Sequence, residues 1–389
     1  MPNYGAYQNE LYGRGLQGVL PKVPVDFANL VRRAEAAMPR YVLDYVQGGC
    51  GSELTQDRNR SAFDHWGMVP RMMVDASTRD LTTHLFGHSR EHPLFMAPIG
   101  VTGICTQDGH GDIAAARASA QTGVPMCVST LSNDPLEDVK AACGDTPAWF
   151  QLYTPRDPDL ATSFIQRAEK AGYAALVVTL DTWVTGWRPR DLNAGNFPQL
   201  RGHVLTNYFV DPVFQKMLAR PVQDDPAAAV QTWGRNFARP ITWKDIAWFK
   251  SVTKMPIVLK GICHADDARR AVDEGSDAIY VSNHGGRQAN GGIAAIDMLP
   301  GVVEAVAGRL PVLFDSGIRS GSDVIKAVAM GADAVGVGRP FAYGLALDDA
   351  EGCAHVLKSI LAEADLMMAV NGMPTLADVR KEGVQRVPA

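Results

Sequence analysis

No apolar run in the 389 residues approaches the roughly 20 that a helix needs to span a bilayer, so no membrane partner is expected. The opening Met1-Pro2-Asn3-Tyr4-Gly5 lacks the basic-then-apolar layout of a secretory leader. Cysteine is sparse and scattered. The six cysteines (Cys50, Cys105, Cys127, Cys143, Cys263 and Cys353) form no Cys-x-x-Cys pair, and no His stands at zinc-finger spacing; reduced thiols in a cytoplasmic protein without a metal site are the expectation. Positive charge is short too. Lys plus Arg, 37, against Asp plus Glu, 42, leaves −5, which argues against a nucleic-acid partner.

What is present is a repeat. Residues 1–92 read as an N-terminal helical extension: Asp26 can cap a helix through Phe27, Leu30, Val31 and Ala34, Pro39 interrupts it, and a second piece runs from Tyr41 to Val46. A polar, Arg-rich stretch without periodicity follows from Glu53 to Arg90. From residue 93, short β-branched runs alternate with amphipathic segments: 93–100, 126–130, 148–153, 174–181, 256–261, 278–283, 311–317 and 334–340. Gly123, Gly172, Gly275 and Gly331 each stand where a helix should stop before a strand. After the second strand, Asp134 is placed to cap a helix that starts at Pro135 and ends at Gly144. Strand–helix alternation fits an open doubly wound sheet as well; the count of eight favours an α/β fold of the closed (β/α)8 (TIM) type over residues 93–389. The stretch 182–240, with repeated prolines and with Trp183, Trp187 and Arg188 at its start, breaks the rhythm after strand four and reads as an active-site loop insertion able to close over the mouth.

Barrel strands point their C-terminal ends at the site. Here those ends carry Asp181, Lys260, His284, Arg287, Arg319 and Arg339, groups costly to bury without a task. Glycine-rich turns after strands seven and eight suit a phosphate, with Arg319 or Arg339 adding a fork. His284 lies in Ser282-Asn283-His284-Gly285-Gly286-Arg287-Gln288, with Asp181 available to orient it. Of the other histidines, His65, His84, His88, His92, His203 and His355 fall outside this cluster, and His110 reads as a loop residue.

That segment resembles the signature of the FMN-dependent L-2-hydroxy-acid oxidases and dehydrogenases. The resemblance extends over Asp44-Tyr45, Ala97-Pro98-Ile99-Gly100, Phe150-Gln151-Leu152-Tyr153, Leu259-Lys260-Gly261, Asp315-Ser316-Gly317-Ile318-Arg319 and Gly338-Arg339-Pro340. It implies FMN contacts from Pro98, Ile99, Gly100, Ser129, Gln151, Thr179, Lys260 and Ser282. It implies further that Asp315, Ser316, Gly317, Ile318, Arg319, Gly338 and Arg339 hold the ribityl and phosphate. Tyr45, Tyr153, Arg188 and Arg287 would surround the substrate, the arginines clamping its carboxylate. His284 would be the general base and Asp181 its partner, with Lys260 and Tyr153 also in the catalytic set. A homo-oligomer, tetramer or octamer, is implied as well. Segments 107–112, 182–191 and 288–292 look like the monooxygenase branch, which converts L-lactate and oxygen to acetate, carbon dioxide and water. The simple oxidase outcome, 2-keto acid plus peroxide, is the alternative, and a non-catalytic flavin-binding barrel is a third reading. Three departures stand out: Gly100 replaces an alanine and would open space beside the flavin, Leu131 replaces a tryptophan, and Ser316 replaces a glycine.

Overall fold

The computed structural model describes residues 2–387. Eight parallel strands close into a barrel: β1 (Leu94–Met96), β2 (Met126–Ser129), β3 (Ala148–Leu152), β4 (Leu176–Thr179), β5 (Ile257–Lys260), β6 (Ala278–Val281), β7 (Val312–Phe314) and β8 (Ala334–Val337). Each pairs with its sequence neighbour, and β8 closes on β1 through Val335 against Leu94.

The period of two along a strand sorts their side chains into two cores. Phe95, Cys127, Trp149, Val177, Val258, Tyr280 and Leu313 form one cluster inside the barrel, where the rings of Phe95 and Tyr280 approach to 5.5 Å from β1 and β6. Their neighbours, such as Met96, Val128, Phe150, Val178, Leu259 and Phe314, belong to the cluster shared with the surrounding helices. Both faces are apolar, which is why the strands read as continuous runs. A hairpin of Thr83–Leu85 and His88–Arg90 plugs the lower end, with Phe86 edge-on to Trp149 at 5.7 Å.

Several expectations hold and several need correction. Asp26 caps helix Phe27–Ala37 by accepting from Asn29 N, and Gly123 and Gly172 end their helices in the left-handed conformation. Asp134 is not a cap: its carboxylate binds His110 Nδ1 at 2.6 Å, and the amide of Leu136 is instead capped by Asn207 Oδ1 at 2.8 Å. His110 thereby ties two loops of the mouth together. The insertion 182–240 carries helices of its own. It folds into Pro189–Asn193, Pro198–Arg201, Thr206–Phe209, Pro212–Lys216 and Pro226–Asn236, and its prolines mostly sit in the first turn, where a missing N–H costs nothing.

The aperiodic stretch after Glu53 contains helix Leu54–Ser61, whose buried residues, Thr55 and Asn59, are polar. It lies across the barrel mouth. Two turn glycines admit this helix: a Cβ on Gly317 would stand 2.1 Å from Asn59 O, and one on Gly286 would stand 2.5 Å from Gln56 N. Gly317 also has φ of 104°, so Gly317→Ala should cost about 3 kcal/mol and lower the thermal midpoint. Gly301→Ala, in a helix interior with nothing within 4 Å, should stabilise by about 0.5–1 kcal/mol. Equal melting curves for the two variants would contradict this packing account.

Candidate active site

The floor of the site follows from strand periodicity. Two residues beyond the inner apolar layer, the inward positions become Ser129, Gln151, Thr179, Lys260, Ser282 and Asp315. All are buried and they bond to one another. Ser129 Oγ donates to Gln151 Oε1 at 3.0 Å, and Gln151 Nε2 donates to Thr179 Oγ1 at 2.8 Å. Lys260 Nζ donates to Ser282 Oγ at 3.1 Å, and Ser282 Oγ donates to Asp315 Oδ1 at 2.5 Å. Tyr280 and Ser316 also donate to Asp315, at 2.7 and 2.8 Å. Lys260 and Asp315 reach the cavity surface, whereas Ser129, Gln151, Thr179 and Ser282 lie just beneath it.

His284 stands on this floor with φ of 59°, a conformation uncommon for a residue with a Cβ. The turn is held from below: His284 N donates to Ser282 Oγ at 3.1 Å and Gly285 N to Ser316 Oγ at 3.0 Å. Asn59 and Asn283 exchange amide bonds of 2.7 and 2.8 Å from above. Ser316, at φ of 86°, takes the strained position but gains these two roles for its hydroxyl. Nδ1 of His284 lies 2.9 Å from Asp181 Oδ1 and 3.1 Å from Thr182 Oγ1. A carboxylate partner assigns the proton to Nδ1 and leaves Nε2 an acceptor. Burial lowers the imidazole's pKa from its ordinary value, Asp181 opposes this, and Lys260 adds to it; the net direction is down. Burial alone would raise the Asp181 carboxyl, but His284 and Lys260 together outweigh it and hold the group well below the usual range. Both directions favour a neutral imidazole beside an ionised carboxylate at neutral pH.

Helix Arg40–Gln47 brings Tyr45 over the mouth. The Arg287 guanidinium sits 4.8 Å from the centre of its ring, and that of Arg188 5.6 Å. Arg188 Nη2 donates to Gln288 Oε1 at 2.8 Å and its Nε to Arg287 O at 3.2 Å. Gln288 in turn donates to the carbonyls of Asp181 and Val184, at 2.7 and 2.8 Å. This glutamine fastens the start of the insertion to the His284 turn, a role unnoticed in the sequence although it ends the motif. Arg287 also donates to Gly48 O, and Arg339 to Gln56 and to Val46 O. Burial, together with the neighbouring arginines, lowers Arg287 to about 9 and Arg339 to about 10.

Among the described residues, no carboxylate lies within 4.0 Å of the side-chain nitrogens of Arg188, Arg287, Arg319, Arg339 or Lys260. Five cations around one cavity, against the single lining carboxylate of Asp315, leave an excess of positive charge that an anionic ligand stabilises. The cavity joins two ends. At one, Gly338 precedes the helix that starts at Arg339 and has no side-chain cap, beside Arg319; the N–H groups of Gly338 and Arg339 suit a phosphate, while Pro340 has none and that of Phe341 donates to Gly338 O at 3.2 Å. The neighbouring helix Gly321–Ala329 is closed already by a Ser320–Asp323 capping box. At the other end stand His284, Arg188, Arg287, Tyr45 and Tyr153. Pro98, Ile99, Gly100, Ser316, Gly317 and Ile318 line the space between. The residues fit a phosphorylated flavin with a carboxylate-bearing substrate beside it.

The walls over the substrate end come largely from the insertion: Phe197, Gln199, Trp233 and Phe237. These were missed, although Trp233 and Phe237, with rings 5.2 Å apart, show the i,i+4 spacing of one helix face. Trp183 and Trp187, expected at the mouth, face outward at 49% and 71% exposure; Thr182, Thr185 and Arg188 of that segment line the cavity instead.

This is the site of an FMN-dependent α-hydroxy-acid oxidoreductase on a TIM barrel. The profile of the FMN-dependent dehydrogenase family matches residues 34–386, and the chain belongs to that family; FMN is its cofactor. The chain is 39% identical over 390 residues to an FMN-dependent alpha-hydroxy acid dehydrogenase, qulF, of Penicillium citrinum, covering 99% of this chain and 96% of that one. It is 39% identical to an L-lactate oxidase of Lysinibacillus sphaericus, covering 93% and 94%. A crystal structure of a Pediococcus acidilactici lactate oxidase superposes with a TM-score of 0.83 at 34% identity, covering 94% and 95%. Among the described residues no helix is long and apolar enough to cross a membrane.

Proposed function

We propose that the chain oxidises L-lactate, or a 2-hydroxy acid of similar size, with oxygen as the final acceptor, and that it acts as a lactate 2-monooxygenase. The observation that carries the hydroxy-acid part is the neutral His284, paired to Asp181 at 2.9 Å, in one cavity with two arginines that lack carboxylate partners. The arginines and Tyr45 bind the carboxylate and so place the C2 carbon and its hydroxyl against Nε2 of His284. Nε2 takes the proton, and Asp181 stabilises the imidazolium that results. FMN, when bound, would supply a two-electron acceptor that oxygen can reoxidise. Lys260, on the floor of the cavity, would bring positive charge to an acceptor held there.

Support for the decarboxylating outcome is the enclosure of the substrate end by Phe197, Trp233 and Phe237, which favours slow escape of pyruvate. The products are then acetate, carbon dioxide and water. Gly100 bears on this in a manner different from the sequence expectation of open space. A Cβ there would lie 3.1 Å from Leu131 Cβ and 3.3 Å from its Cδ1, so an alanine pushes Leu131 within the cavity wall. Gly100→Ala should therefore shift products toward pyruvate and hydrogen peroxide while flavin reduction stays within a few-fold. The test is quantification of acetate, pyruvate and peroxide from L-lactate for parent and variant. The relatives named L-lactate oxidase favour a second reading, in which the parent itself releases stoichiometric peroxide; that result replaces the monooxygenase proposal.

A further inference from the structure

Gln199 is completely buried, lines the cavity, and sits in the short turn Pro198–Arg201 of the insertion. Its Nε2 donates to Tyr45 Oη at 3.3 Å. Its Oε1 has no hydrogen-bond partner. A buried amide with one satisfied end is costly in a core, and here it faces the binding space.

We infer that Gln199 is a positioning residue that sets the polarity of the Tyr45 hydroxyl. The phenol has one proton and two lone pairs. With the amide N–H on its oxygen, the Tyr45 proton has no use on the Gln199 side and is left to point elsewhere. The guanidinium groups of Arg287 and Arg188, 4.8 and 5.6 Å from the ring centre, offer no acceptor to receive it. The acceptor that completes the arrangement is the carboxylate of the substrate. Tyr45 then serves as a third donor beside the two arginines. The opposite orientation, Oε1 toward Tyr45, would consume the phenol proton and turn a lone pair toward the carboxylate. The two arginines favour the observed one, because they draw negative charge onto the phenol oxygen and so strengthen its bond to an N–H.

This rests on the carboxylate-binding reading of the arginine pair, and the test separates the two. Binding of pyruvate, a 2-oxo acid that the enzyme does not oxidise further by this route, is measured calorimetrically on the oxidised holoenzyme under anaerobic conditions. Alongside it, KM and the limiting rate of flavin reduction are measured with L-lactate. Gln199→Leu should weaken pyruvate binding about tenfold, the effect of one hydrogen bond, and raise KM similarly while the limiting rate changes less than threefold. Gln199→Glu, nearly isosteric but an acceptor, should weaken binding more than Gln199→Leu does. In a Tyr45→Phe background, Gln199→Leu should add less than twofold, since its effect runs through the missing hydroxyl. Gln199→Met is a second apolar variant should leucine disturb the turn; flavin content and near-ultraviolet dichroism check folding.

Parent-like binding in both Gln199→Leu and Gln199→Glu overturns the inference, as does an effect that simply adds to that of Tyr45→Phe. If pyruvate fails to bind the parent, or binds Arg287→Lys as well as the parent, the carboxylate-site reading itself fails.

Discussion

His284→Ala is expected to leave FMN bound and to cut flavin reduction by L-lactate about 10²–10⁴-fold, the usual cost of losing a general base. The protein should remain yellow because His284 belongs to the substrate end, while the phosphate end is built on Gly338, Arg319 and Arg339. The pH profile gives an independent check. The base form is neutral imidazole, and burial, against the opposing pull of Asp181, sets its pKa below 6.5. The rate of reduction should therefore rise with pH through a midpoint under 6.5 and hold its plateau at neutral pH. Asp181→Asn removes the group that raises that pKa. Its acid limb should shift further down while the plateau falls, since the imidazolium formed in turnover loses its anion. Stopped-flow reduction across pH measures both. A His284→Ala enzyme reduced within a few-fold of the parent rate excludes His284 as base.

The barrel was legible because each strand is buried on both faces. Leu176–Thr179 or Ile257–Lys260 shows as an unbroken apolar run that ends in a polar residue, and left-handed glycines such as Gly123 and Gly172 mark the helix stops. The catalytic cluster was legible for a related reason: His284, Lys260 and Asp181 stand at strand ends, where charge has no structural excuse. Polar burial defeated the reading elsewhere. Helix Leu54–Ser61 buries Thr55 and Asn59 against Gly292 and Asn283, so it shows no apolar stripe and reads in the sequence as a polar stretch without periodicity. The glycine-rich turn at Gly317 reads as a place for a phosphate, but one sequence cannot say that the backbone packed on it, and on Gly286, belongs to that helix. Asp134 carries a cap-like pattern that His110 overrides through a contact spanning two loops. Trp183 and Trp187 were assigned to the mouth on residue type; the bonds of Gln288 to Asp181 O and Val184 O fix the backbone so that Arg188 turns inward and both tryptophans turn out.

Arg287→Lys should reduce kcat/KM for L-lactate about 10–100-fold, from the loss of charge-assisted hydrogen bonds worth roughly 1.5–3 kcal/mol. The charge is kept, so a purely electrostatic site would tolerate the change. The structure gives three reasons why this one does not. The guanidinium spends one N–H on Gly48 O, which orients the plane and leaves the rest of the fork for a carboxylate. It lies 4.8 Å from the centre of the Tyr45 ring, where a planar guanidinium can stack on the ring and still present its fork, whereas an ammonium is a point charge on a flexible stem. It also has no carboxylate partner of its own, so substrate is what offsets its burial. The loss should appear mainly in KM, because binding is removed while His284 and Asp181 stay in place. Arg188→Lys should differ in kind. Arg188 holds Gln288 at 2.8 Å as well as facing the cavity, and Gln288 secures the segment that contains Asp181 O. Its loss should lower the limiting rate of reduction together with affinity. Rapid-reaction titration with L-lactate separates the two parameters, and unchanged values for Arg287→Lys would show that the carboxylate binds elsewhere in the cavity.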